Sequence, residues 1–144
     1  MKYLLDTCVI SELLKPTPNS QVVQWIITQH ETDLCISVLT VGELQKGIAK
    51  LPDSKRKITL QQWLNTDLIS RFENRILDVS ISVAQTWGKI QGSSVSEGKT
   101  MPVMDGLIAI TALVNNATVV TRNIKDMTQS GVSLFNPWEG NQDY

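Results

Sequence analysis

Two periods of apolar and polar residues alternate along the chain. Short apolar runs at Lys2–Leu5, 34–36, Ile76–Leu77, Ala117–Val120 and 132–135 predict buried strands, with Ala117–Val120 the clearest. Between them the apolar residues recur at helical spacing. Asp6-Thr7 turns the first strand into a helix carrying Val9, Ile10, Leu13 and Leu14, which Pro16 and Pro18 end. Asn19 or Ser20 caps the next helix, whose Val22, Val23, Trp25, Ile26 and Ile27 make a broad apolar face. Ser37 and Thr40 both suit the cap of the helix holding Val41, Leu44 and Ile48, with Glu43 in its opening turns. After the break at Leu51-Pro52-Asp53, residues 58–72 predict a longer amphipathic helix with Leu60, Trp63, Leu64, Leu68 and Ile69 inward. A further helix is predicted over 80–90, then a mobile Ser- and Gly-rich loop over 92–99.

That loop delivers the most apolar helix of the chain. Pro102 suits its first turn, and Leu107, Ile108, Ile110, Ala112, Leu113 and Val114 require burial. Asp105 is the only charge between Lys99 and Arg122. Strands alternating with helices predict an α/β layer fold with a short, mainly parallel central sheet. No repeat or linker interrupts residues 1–138, read as a single domain, and 139–144 read as a flexible tail.

Composition narrows the function. The 144 residues, 42% hydrophobic and 19% charged, describe a folded globular chain. A net charge of −1 gives no global attraction to nucleic acid, so a polyanion must be held by a local basic rim or by bound cations. Cys8 and Cys35 both lie in apolar sequence, which suits reduced thiols in the cytoplasm. The opening Met1-Lys2-Tyr3-Leu4-Leu5 is cut short by Asp6 as a signal segment. No run approaches the roughly 20 apolar residues needed to span a bilayer.

In parallel sheets ligands bind beyond the carboxyl ends of the strands. Asp6 follows the first strand there, Glu43 the second, and Asp126 the strand at Ala117–Val120, while Asp105 opens a helix that must pack on the same sheet. Each acid alone is readable as a helix cap or dipole partner. Acids that converge on one edge repel and need a cation to stay ionised together, and Mg²⁺ or Mn²⁺ is the natural resident of oxygen ligands. Two such ions about 4 Å apart can activate water and steady the leaving oxygen of a phosphodiester. His30, the only histidine, falls at a helix end, so a nuclease using a histidine pair is excluded and a Ser-His-Asp hydrolase is disfavoured.

Four motifs then carry a family resemblance, in order and over nearly the whole chain. Tyr3-Leu4-Leu5-Asp6-Thr7, Leu39-Thr40-Val41-Gly42-Glu43-Leu44, Met101 through Ala109, and Val120-Thr121-Arg122-Asn123 resemble the motifs of PIN-domain ribonucleases. More narrowly they resemble the VapC/FitB-like toxins of toxin–antitoxin pairs, and Phe135-Asn136-Pro137-Trp138 strengthens the FitB-like comparison. The resemblance implies a PIN-like three-layer α/β/α domain, with Asp6, Glu43 and Asp105 as catalytic acids holding Mg²⁺ and Mn²⁺ as substitute. It also implies RNA cleavage, a homodimer or larger assembly, and a cognate antitoxin that blocks the acidic site. The family's fourth acid often follows Thr-Arg, where this chain has Asn123, so the fourth position falls to Asn123 or to Asp126. Thr7, Ser11 and Thr121 are read as supporting hydroxyls or as caps. Arg122, Lys99 and Lys46 are candidate RNA contacts, Lys46 within a basic cluster that continues through Lys50, Lys55, Arg56 and Lys57.

Two rivals remain at this level. Ser96-Glu97-Gly98-Lys99-Thr100 resembles a phosphate loop, but the glycine that motif requires is Ser93 here and Gly92 is off by one. The other rival is a catalytically inactive PIN-like module that binds RNA or protein, with Asn123 marking a decayed site.

Overall fold

The computed structural model describes residues 1–139, so the tail expected beyond Glu139 lies outside the described residues. Five parallel strands, β1 (Lys2–Leu5), β2 (Leu34–Ser37), β3 (Ile76–Leu77), β4 (Ala117–Val120) and β5 (Leu134–Phe135), form one sheet in the order β3-β2-β1-β4-β5. β1 is central, pairing Leu4 with Cys35 on one side and Leu5 with Val120 on the other. Parallel pairing sends the chain out of β1, β2 and β4 at the same edge, which becomes the floor of a recess.

Side chains alternate across this sheet and build a core on each face. Leu5, Leu34, Ile36, Val120 and Phe135 face one layer, made by α1 (Thr7–Leu13), α2 (Ser20–Thr28), α3 (Val38–Ala49) and a long helical stretch. That stretch runs from α4 (Lys55–Gln62) through a π-helical segment at Trp63–Leu68 into α5 (Ile69–Arg71). Leu4, Cys35, Val119 and Leu134 face the other layer, where α7 (Val103–Val114) and α8 (Ile124–Met127) place Ile108, Ala109, Ala112 and Met127. α6 (Ile81–Val95) packs outside α7. The expected three-layer α/β/α arrangement is therefore present, and no described helix is long and apolar enough to cross a membrane.

Three local expectations change. Along this stretch Phe72 is fully buried while Ile69, expected inward, is 38% exposed. Helix α6 runs to Val95, so the loop expected from residue 92 starts only after it. The turn back is held by Gln91, whose side chain accepts from Met101 N at 2.9 Å and donates to Met101 O at 2.8 Å. Ser37 caps α3 by accepting from Leu39 N at 3.0 Å, and Thr40, the other candidate cap, lies inside the helix.

Helix α7 earns its burial from sequence. Ile108 and Ile110 are fully buried, and truncating either to Ala costs about 2–5 kcal/mol. Its start is set by contact: a Cβ on Gly106 would meet Trp87 Nε1 at 3.2 Å and Met101 Cβ at 3.3 Å. Glycine at 106 lets α7 press against α6, and that approach fixes the turn carrying Asp105.

Candidate active site

Asp6 is the N-cap of α1 and is 2% exposed. Its backbone N–H donates to Val120 O at 3.0 Å, which ties it to β4. Oδ1 accepts from Thr7 N at 2.8 Å, and Oδ2 accepts from the Thr121 hydroxyl at 2.7 Å and from the Cys8 thiol at 3.6 Å. Capping and site-building are thus the same contact rather than alternatives. Burial pushes the carboxyl above its ordinary range, against the Thr121 and Thr7 hydrogen bonds, and the charge of Glu43 pushes the same way.

Glu43 sits half-buried on α3, two turns after β2. Its Oε1 accepts from the Thr7 hydroxyl at 2.6 Å, and that hydroxyl lies 3.1 Å from Thr40 Oγ1. Thr7 has one hydroxyl proton, and the carboxylate takes it. Thr40, fully buried, is left to present its own proton to Thr7. Sequence reasoning placed Thr40 at the helix cap and missed this role. The signal was present, since positions 40 and 43 share a helix face.

Asp105, in the first turn of α7, is half-buried and faces the other acids. Its carboxyl is pushed up to about 6, first by burial and then by the charges of Asp6, Asp126 and Glu43. The charges of the other three acids anticipated from the sequence thus all reach Asp105. Asp126 is exposed at the mouth of the recess. At Asn123 the described contact is made by the backbone N–H, which donates to Thr121 Oγ1 at 2.9 Å. Thr121 thereby joins the loop after β4 to the Asp6 carboxylate.

The candidate basic residues divide. Arg122 Nη2 lies 3.7 Å from Glu12 Oε1, with its guanidinium 4.1 Å from the Trp138 ring centroid. Glu12, which the sequence reading passed over, is 5% exposed and also binds Lys15 Nζ at 2.9 Å and Asn19 N at 2.9 Å. Lys57 is drawn away to Leu51 O at 3.0 Å and Asp53 at 3.6 Å. Lys99 stands exposed on the turn after α6, where its backbone N–H closes onto Ser94 O at 3.1 Å. Lys46 lines an open groove together with Glu43. Ser11 and His30 are exposed, away from these contacts.

Among the described residues no basic side chain comes within 4 Å of Asp6, Glu43, Asp105 or Asp126. The donor set, carboxylate and hydroxyl oxygen, suits a hard divalent cation. Cys8 offers no competition, because burial and the nearby Asp6 push its thiol up to about 11. Among the described residues no three His, Cys, Asp or Glu side chains stand close enough to share one ion directly. An ion that keeps several waters and takes one or two carboxylates fits that spacing.

Comparisons with known proteins supply the family. A family model described as PIN domain matches residues 3–127. The chain belongs to the PIN domain family. It is 38% identical over 135 residues to Toxin FitB of Neisseria gonorrhoeae, covering 94% of this chain and 97% of that protein. It is 33% identical over 136 residues to VapC ribonuclease Y4jK of Sinorhizobium fredii, covering 94% and 97%. Among solved structures, the crystal structure of FitAcB from Neisseria gonorrhoeae matches with a TM-score of 0.89 at 38% identity, covering 94% of this chain and 98% of that one. The PIN family accounts for the fold, and the resemblance drawn from the four motifs holds across the chain.

Proposed function

We propose that this PIN domain is an Mg²⁺- or Mn²⁺-dependent endoribonuclease and the toxin of a toxin–antitoxin pair. One observation carries the reading: Asp105, raised to about 6 first by burial, also feels the charges of Asp6, Asp126 and Glu43, and among the described residues no basic side chain lies within 4 Å of these four acids. Such a gathering is costly without a cation and useful with one. The relatives named Toxin FitB and VapC ribonuclease support the biological role. On the same resemblance the chain forms a homodimer in the cytoplasm and is silenced by an antitoxin that covers the acids.

Of Asp6, Glu43 and Asp105, one or two would bind the ion directly and the rest through its waters, with Asn123 or Asp126 in the fourth position. When bound, the ion supplies Lewis-acid activation of water and charge neutralisation at the phosphate. The protein's own part is positioning. Thr121 and Thr7 N–H hold both oxygens of Asp6, so its carboxylate cannot swing. Thr7 holds Oε1 of Glu43 and leaves Oε2 free for the recess.

The test is cleavage of a mixed cellular RNA pool by purified protein with Mg²⁺, with Mn²⁺ and with chelator. Cutting should require metal, vanish in Asp105→Asn and survive in His30→Ala. Cutting that persists in chelator, or that depends on His30, overturns the reading.

A further inference from the structure

The groove beside Glu43 is the part of the surface that the acids alone do not explain. It is lined by Gly42, Glu43, Lys46, Gly47, Lys50 and Met104, so one wall is a face of α3 and its far end reaches the first turn of α7, next to Asp105. Lys46 and Lys50 are exposed, and among the described residues neither has an acidic side chain within 4 Å. They differ in this from Lys57 and Arg122, whose charges are engaged by Asp53 and Glu12. Four residues of helix rise by about 6 Å, comparable with the step between successive phosphates of an extended strand. Between them the floor is bare: a Cβ on Gly47 would meet nothing within 4 Å, and neither Gly42 nor Gly47 has a positive φ. Glycine there answers no need of backbone or packing in this chain, and it weakens the helix.

We propose that a single strand of RNA lies along α3, with successive phosphates on Lys46 and Lys50 and its backbone over Gly47, and enters the acid recess at Glu43. This rests on the nuclease reading and assigns the residues of this chain that carry the strand's backbone to the site. Charge complementarity and continuity with the acids select a polyanion, and the recess selects a single strand. Asp6 is 2% exposed, so a phosphate held on the rigid convex surface of a duplex cannot approach it, whereas a strand free to bend can.

The experiment measures binding of a fluorescent single-stranded RNA of about 12 nucleotides, and of the same sequence as a duplex, in chelator and in the Asp105→Asn background so that nothing is cut. Each phosphate contact on a single strand adds about 0.7 to the slope of log affinity against log salt. Lys46→Ala with Lys50→Ala should therefore lower that slope by about 1.4. Between roughly 50 and 200 mM salt, the parent then loses about sevenfold more affinity than the double variant. Lys55→Ala with Arg56→Ala, on the next helix, should leave the slope unchanged. Gly47→Leu should raise the melting temperature while weakening RNA binding, a pair of effects that a merely structural role cannot produce.

An unchanged slope in the Lys46/Lys50 variant overturns the proposal, as does an equal loss in the Lys55/Arg56 variant. Tighter binding of the duplex, no measurable binding of the single strand, or unimpaired binding by Gly47→Leu overturns it too. Cleavage by the unmodified chain with Mn²⁺ is scored alongside. Loss of the lane with cleavage intact rejects this inference alone, and absence of cleavage rejects the nuclease reading.

Discussion

Helix α1 carries one buried acid in its cap and another near its end, and the two live in opposite surroundings. Glu12 is met by Lys15, the Asn19 N–H and Arg122, and Lys15 first among them holds its carboxyl below the ordinary range. Asp6 is met by a hydroxyl, a backbone N–H and a thiol, with other acids beyond, and burial raises its carboxyl. One acid has been neutralised by the chain and joins the turn before α2 to the loop after β4. The other has been held in place without being neutralised. A carboxylate fixed by neutral donors is what a metal ligand requires, and a carboxylate closed by cations is what a structural clamp requires.

The sharpest way to break that contrast is to remove charge from the recess. Asp105→Asn should lower kcat/KM for RNA by on the order of 100- to 1,000-fold, since the lost carboxylate acts where charge develops. The same substitution should stabilise the metal-free protein. Asp105 is raised from 3.8 to about 6, so below about pH 4 both folded and unfolded chains are protonated and the residue contributes nothing. Between those values the unfolded chain ionises first, stability falls as pH rises, and the loss is complete above about 6. The full shift corresponds to ~3 kcal/mol, and its partial exposure reduces this to about 1–2 kcal/mol. Melting in chelator at pH 7.5, a value about one unit or more above the folded pKa, should rise by roughly 3–6 °C in the variant. No rise would mean that the acids do not strain one another. Mg²⁺ should raise the melting point of the unmodified chain and do less for Asp105→Asn.

Next in size is the brace on Asp6. Thr121→Val keeps the shape of a fully buried side chain but removes the donor to Oδ2 and the acceptor for Asn123 N–H. Loss of such an outer hydrogen bond costs about 10- to 100-fold in metal affinity or activity. Thr121→Ser should recover most of it. Failure of serine to rescue would assign the threonine to packing instead. Thr40→Val and Thr40→Ser make the parallel pair for Glu43, with an effect at the lower end of that range, because Thr40 acts through Thr7.

Most of the frame was legible because period and burial agree along this chain. The five strands, the cap at Asn19 and the burial of α7 follow from apolar spacing, and the edge rule for parallel sheets then brings Asp6, Glu43 and Asp105 to one place. What escaped were features that spacing does not encode. A π turn at Trp63–Leu68 interrupts the α-helical period without a marker in the apolar pattern, and Ile69 just beyond it is 38% exposed. Ser and Gly at 92–94 read as loop, yet α6 carries through them and Ser94 is 5% exposed against its neighbours. The Glu12–Arg122–Trp138 cluster joins positions more than a hundred residues apart, and no local signal announces such a contact. Arg122, a candidate RNA contact on sequence grounds, also faces Glu12 at 3.7 Å, a partner that the sequence does not reveal.

Glu12→Gln probes the clamp and should have the smallest effect on cleavage, no more than severalfold, because among the described residues no hydrogen bond or ion pair joins Glu12 to Asp6, Glu43, Asp105 or Asp126. Its signature lies in acid stability. A carboxyl held below its ordinary value of 4.5 contributes stability that is fully present above that pH and is lost as pH falls through the lower folded value. Melting of the parent should therefore drop on the acid side of about 4.5, and that drop should flatten in the variant, whose amide does not titrate. Metal should shift both chains equally at neutral pH. Asp105→Asn predicts the mirror image, a change confined to the approach to about pH 6 and above and sensitive to Mg²⁺. If Glu12→Gln instead abolished the response to metal, the two buried acids of α1 would belong to one electrostatic unit, and the separation between clamp and recess would be wrong.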